Sequence, residues 1–128
     1  MNLKVLIVDD EDFLRRIYAI GFEREGCTVL HADNGIDALK IAESEKPDLI
    51  VLDIVMPGLH GFEVCKQLRE NPLFSKTTII MSSAKSYKPD IDKAIELGAD
   101  AYIIKPIEFD ELFKIAMMHY NNRISRTP

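Results

Sequence analysis

The sequence of 128 residues predicts a doubly wound α/β fold, one five-stranded parallel sheet in the order 2-1-3-4-5, on three observations. Apolar runs of strand length alternate five times with segments of helical period, the pattern of repeated βα units. Those runs are rich in β-branched residues and poor in polar alternation, as strands covered on both faces are. With right-handed crossovers and no internal linker, few topologies remain, and this order is the most economical.

The strands are expected at Leu3 to Val8, Thr28 to His31, Leu49 to Leu52, Thr78 to Met81 and Ala101 to Ile104. After the first, Phe13, Leu14, Ile17, Tyr18 and Gly21 form a helical stripe closed by Gly26 as a left-handed cap. Ile36, Leu39 and Ala42 repeat the pattern before Pro47, and Phe62, Cys65 and Leu68 repeat it before Asn71 and Pro72, so each helix stops at a breaker. Ile91, Ala94, Ile95 and Gly98 mark the fourth helix, with Pro89 suited to its first turn. Phe109, Leu112, Phe113, Ala116 and Tyr120 give the fifth, expected to fray from Asn121 into a polar tail. One domain over residues 1–122 and a short tail over 123–128 follow.

Composition narrows the function classes. The chain is 47% hydrophobic and 29% charged, with the balance of an ordinary globular protein. A formal net charge of −5 argues against a broad nucleic-acid footprint, and Arg123 and Arg126 are read as solvated tail residues. Cys27 and Cys65 lack metal-ligand spacing and are expected as free thiols. No signal segment or membrane-length apolar stretch opens the sequence, so a cytoplasmic location without a membrane partner is expected.

The chemistry concentrates at strand ends, the edge where ligands bind in open parallel sheets. Asp53 closes the third apolar run, Asp9 and Asp10 the first, Lys105 the fifth, and Ser83 follows the fourth. Carboxylates about 4 Å apart repel by roughly 4 kcal/mol per pair at an effective dielectric near 20. Their convergence therefore requires a raised pKa or a cation, and an all-oxygen site suits Mg2+, an ion that favours phosphate as a further ligand. A carboxylate can itself become an aspartyl-phosphate. Each group has a plainer reading: an N-cap for the acid pair, a solvated loop lysine, a turn serine. Their joint appearance at four strand ends favours a site.

These residues resemble the receiver domain of two-component response regulators, chemotaxis regulators included, over about residues 3 to 120. The resemblance rests on Val8-Asp9-Asp10-Glu11, on Asp53-Ile54-Val55-Met56-Pro57-Gly58 followed by Gly61, on Ser83-Ala84, and on Gly98-Ala99-Asp100-Ala101-Tyr102 leading to Lys105-Pro106. It implies a flavodoxin-like (βα)5 fold in which Asp53 is the phosphoacceptor. Magnesium ligands would be Asp10, Asp53 and the backbone carbonyl of Val55, with Asp9 acting through a water. Ser83 would be the switch hydroxyl, Tyr102 the switch aromatic, and Lys105 the phosphate contact, preceding a cis bond to Pro106. Implied partners are a histidine kinase or histidine phosphotransfer protein upstream, and an output protein or domain, or a second copy, downstream. Output would pass through the face of the fourth helix, fifth strand and fifth helix, with Tyr87, Lys88, Ile91, Ile95, Tyr102 and Ile104 as candidates; simple packing is favoured for Ile95.

One position bears on both lifetime and class. Val55, two residues past Asp53, cannot orient a hydrolytic water, so slow loss of the phosphoryl group is expected. Phosphatases that form an aspartyl-phosphate place a second acid at that position, so an enzyme acting on a separate substrate is not expected. A nucleotide-binding domain is disfavoured because no G-x-G-x-x-G follows the first strand. His60 is read as exposed rather than as a phosphate carrier.

Overall fold

The computed structural model describes residues 2–126. Strands β1 (Lys4–Val8), β2 (Thr28–Ala32), β3 (Leu49–Asp53), β4 (Thr78–Ser83) and β5 (Ala101–Ile104) are all parallel and lie in the order β2-β1-β3-β4-β5. Helices α1 (Asp12–Arg24), α2 (Gly35–Glu45), α3 (Gly61–Glu70), α4 (Lys88–Glu96) and α5 (Phe109–Arg126) connect or follow them, with a 3-10 turn at Pro72–Phe74. The predicted fold class and strand order are those observed.

Side chains alternate across a strand with period two, and here both faces are apolar. Leu6, Val8, Ile50, Leu52, Ile79 and Met81 pack with Ala38 and Ala42 of α2, Val64, Cys65 and Leu68 of α3, and Ala94 of α4. On the opposite face Val5, Ile7, Leu49, Val51, Ile80 and Ile103 pack with Tyr18, Ala19 and Phe22 of α1 and Leu112 and Ala116 of α5. Burial near 25 cal/mol per Å2 makes these two layers the main source of stability.

Several expectations are corrected. In α1 the buried line is Tyr18, Ala19 and Phe22, whereas Phe13 and Ile17 face outward; a helix at 3.6 residues per turn buries one stripe, and the apolar residues of this helix form two. Ile36 and Ile95 are about half exposed, so packing does not account for Ile95. Strand β4 continues through Ser83, because Ser82 and Ser83 are buried and stay in the ladder with Ile103 and Ile104. The polar segment from Asn121 does not fray: α5 runs to Arg126, and Arg123 is ion-paired with Asp100 rather than solvated. Residues 127 and 128 of the expected tail lie outside the described residues.

Gly26 has φ +90° one residue past the α1 cap, as predicted, while α2 ends on Lys46 in the left-handed region at φ +50° ahead of Pro47. Both cysteines are free thiols. Among the described residues no helix is long and apolar enough to cross a membrane.

Candidate functional site

Pairing of β1 with β3 places Val8 beside Leu52, so the next residues, Asp9 and Asp53, emerge side by side at the carboxyl edge. Carboxylate oxygens of Asp9, Asp10 and Asp53 lie within 4.8 Å of one another. Asp9 and Asp53 are buried, at 3% and 5% exposure, while Asp10 is exposed. Beyond them the chain turns sharply: Gly61 donates its N–H to the Ile54 carbonyl at 2.8 Å. A Cβ on Gly61 would collide with the Asp53 carbonyl and come within 2.8 Å of Ile54 Cα, so only glycine fits against the loop that follows Asp53.

Lys105 enters from the end of β5, its backbone N–H donating to the Ser83 carbonyl at 2.7 Å. Its buried Nζ donates to Asp9 Oδ2 at 2.9 Å and stands 3.4 Å from Asp53 Oδ2. The Lys105-Pro106 bond is cis, as the resemblance implied. Burial pushes the Asp53 carboxyl up to about 6, with the Lys105 charge opposing and the Asp9 and Asp10 charges adding to the rise. Burial alone would lower the Lys105 ammonium, but its hydrogen bond to Asp9 and the charges of Asp53, Asp9 and Glu11 hold it above its ordinary value. One lysine therefore does not neutralise the cluster. An acidic set with oxygen donors only, whose charge one lysine leaves uncompensated, fits a hard divalent cation.

Ser83 is buried, and its Oγ accepts the N–H of Lys85 at 3.1 Å. The Tyr102 hydroxyl donates to the Lys85 carbonyl at 2.8 Å, so Lys85 joins the serine to the aromatic. Val55 lies in the bend after β3 with its side chain 68% exposed. His60 is exposed and caps α3, its Nδ1 accepting from the Phe62 N–H at 3.1 Å.

Two arginine arrangements lie outside the sequence expectations. Arg15 donates to the Asp9 carbonyl at 2.8 Å and pairs with Asp12 at 2.5 Å; the only sequence signal was the i,i+3 spacing to Asp12. At the opposite edge Asp100 accepts from Arg69 of α3 at 2.9 Å, from Arg123 of α5 at 2.5 Å and from the Ile79 N–H at 3.0 Å. That node joins partners far apart in sequence, which no local pattern announces.

A (βα)5 sheet with an acid cluster, a lysine and a hydroxyl at its carboxyl edge defines a class, and the family profile of the response regulator receiver domain matches residues 5–117. The chain belongs to the response regulator receiver domain family of two-component systems. It is 49% identical over 106 residues to the alkaline phosphatase synthesis transcriptional regulatory protein PhoP of Bacillus subtilis, a match covering 83% of this chain and 43% of that protein. It is 37% identical over 119 residues to protein PilG of Pseudomonas aeruginosa, covering 92% of this chain and 87% of that one. The chain thus spans less than half the length of the first of these relatives. Among solved structures, the chemotaxis response regulator CheY4 of Vibrio cholerae aligns with a TM-score of 0.87 at 28% identity, covering 93% of this chain and 99% of that one. The receiver domain of Francisella response regulator 1452 aligns with a TM-score of 0.86 at 30% identity, covering 94% and 98%.

Proposed function

We propose that Asp53 accepts a phosphoryl group and that the chain acts as a phosphorylation-controlled binding module, not as an enzyme on a separate substrate. The observation that carries this reading is the convergence of Asp9, Asp10 and Asp53 within 4.8 Å, with the Lys105 ammonium between two of them. In the transfer an Asp53 oxygen forms a bond to phosphorus while the P–N bond of a donor phosphohistidine breaks and its electron pair stays on the imidazole nitrogen. Lys105 then meets a phosphoryl oxygen, and Ser83 exchanges its local contact with Lys85 for a hydrogen bond to the new group. Tyr102 follows the loop through its bond to Lys85. Asp10, Asp53 and the Val55 backbone carbonyl would hold Mg2+, with Asp9 one water further out, and the bound ion would offset charge on the acids and the phosphoryl oxygens.

Partners follow from exposed surface. Phe13, Ile17 and Ile20 share one face of α1, at 75%, 39% and 49% exposure, and that face begins directly after the acid turn. An apolar helical face beside the acceptor fits the helical donor surface of a histidine kinase or a histidine phosphotransfer protein. Tyr87, Ile95 and Ile104, all partly exposed, lie on the α4, β5 and α5 side, which we assign to an output protein or domain, or to a second copy. Direct nucleic-acid or membrane binding is not part of this reading, and the cytoplasm is the compartment that suits it.

Treating the purified chain with acetyl phosphate and magnesium should add the mass of one phosphoryl group to the wild type and none to Asp53→Asn. A phosphorylated Asp53→Asn protein would overturn the assignment.

A further inference from the structure

Asp9 is held at every polar atom. Its N–H donates to the Ala32 carbonyl at 3.1 Å, its Oδ1 accepts from the Glu11 N–H at 2.8 Å, its Oδ2 accepts from Lys105 at 2.9 Å, and its carbonyl accepts from Arg15 Nη1 at 2.8 Å. Asp10, the exposed member of the acid cluster, has no side-chain hydrogen bond among the described residues. Its direction therefore depends on its backbone. The Asp9 carbonyl belongs to the planar peptide unit that contains Asp10 N and Cα, so a donor fixed on that oxygen also fixes the plane from which the Asp10 side chain departs.

Arg15 suits this task. Its guanidinium is a rigid fork, its side chain is 15% exposed, and its other arm is tied to Asp12 Oδ1, whose carboxylate is steadied in turn by Arg16 Nε at 2.9 Å. Arg15 Nε is buried without a hydrogen-bond partner among the described residues. A buried donor left unmade is costly, so the pose is set by the acid turn that both terminal nitrogens grip.

We infer that Arg15 is a positioning residue for the metal-binding acids: it holds the Asp9 to Asp10 peptide so that the Asp10 carboxylate points at the cation site. The inference rests on the magnesium reading above. It also makes a choice of sign. Removing a cation that contacts the acidic turn from Asp9 to Asp12 should, by charge alone, tighten magnesium binding, whereas loss of positioning should weaken it.

The test is calorimetric magnesium titration of wild type, Arg15→Gln and Arg15→Lys, with amide spectra and urea unfolding of the metal-free proteins. The expected result is roughly tenfold weaker binding in folded Arg15→Gln, the size typical of losing an outer-shell partner, with shifted Asp10 and Glu11 amides. Arg15→Lys, which keeps the charge but lacks the fork, should fall between. Unchanged or tighter binding in folded Arg15→Gln would overturn the inference; should that variant not fold, wild-type affinity in Arg15→Lys would do the same. A wild type that binds no magnesium overturns the metal reading itself, an outcome distinct from a wild type that binds and a variant that is unaffected.

Discussion

Once ionised, the buried Asp53 carboxylate opposes folding. Its folded value of about 6 lies above the ordinary 3.8, chiefly because burial disfavours the charge. The group's favourable contribution is fully present below the ordinary value and is lost as pH rises through about 6. A shift of this size corresponds to roughly 3 kcal/mol. Metal-free Asp53→Asn should therefore be more stable than wild type, by an amount that grows from about pH 4 to about pH 7 and then levels off. Urea midpoints across that range check it, and a gap independent of pH would refute the buried-charge account. Neighbouring Val55 bears on kinetics: exposed and apolar, it offers no group to orient a hydrolytic water, so the phosphorylated chain should keep its label for minutes, and Val55→Asn should shorten that lifetime in a phosphate-release assay. At this scale the sequence was most legible. Asp9, Asp10, Asp53, Ser83 and Lys105 each close a strand, and parallel pairing brings strand ends together without further information. Arg15 was not legible, because its partner is a backbone carbonyl that exists as an acceptor only once the turn has formed.

Helix α1 divides its apolar residues between two jobs. Tyr18, Ala19 and Phe22 are buried against the sheet, while Phe13, Ile17 and Ile20 stay exposed beside the carboxyl edge. Phe13→Glu should leave the fold and acetyl phosphate labelling unchanged, since three quarters of Phe13 is already exposed. It should slow transfer from a protein donor at least tenfold, the loss expected when an apolar anchor worth about 1.4 kcal/mol or more is replaced by a charge. Comparing initial rates with the two donors checks it; equal slowing with both would place the effect in the acid cluster instead. Sequence periodicity located this helix and its end but merged the two stripes, because hydrophobicity does not say which apolar face is covered. Helix α5 shows the converse. Its polar end stays helical because Arg123, with a side chain 19% exposed, bonds Asp100 and donates to the Ser75 carbonyl at 2.8 Å, a long-range docking hidden from local pattern. Arg123→Ala leaves Asp100 with Arg69 and the Ile79 N–H, so a loss of about 1–3 kcal/mol is expected. Hydrogen exchange should rise in the last turn of α5 while Leu112 and Ala116 remain protected.

Over the whole molecule the two edges of the sheet are unlike. The amino edge is fastened by Asp100 with arginines from α3 and α5, whereas the carboxyl edge ends in acids, Lys105 and a loop that Lys85 links to Ser83 and Tyr102. A change at Asp53 should therefore move the β4 to α4 loop and the adjoining α4 and β5 surface before it disturbs the layers beneath. A complete swing from about 1:99 to 99:1 needs roughly 5.5 kcal/mol of differential stabilisation. Ser83, exchanging its contact with Lys85 for a charge-assisted hydrogen bond, and Lys105, adding a phosphoryl oxygen to its bond with Asp9, supply at most roughly 3–6 kcal/mol together. Both are then required for near-complete switching. With beryllofluoride and magnesium as a stable phosphoryl mimic, amides of Ser83, Lys85 and Tyr102 should shift in the wild type while those of Leu112 and Ala116 stay in place. In Ser83→Ala one bond remains, worth at most about 3 kcal/mol or roughly 150-fold in the ratio, so the same amides should move only part of the way. Tyr102→Phe should leave mimic binding intact and uncouple the α4 amides from it, because the hydroxyl is what ties the aromatic to the loop. Full shifts of the α4 amides in both variants would show that the change passes by another route.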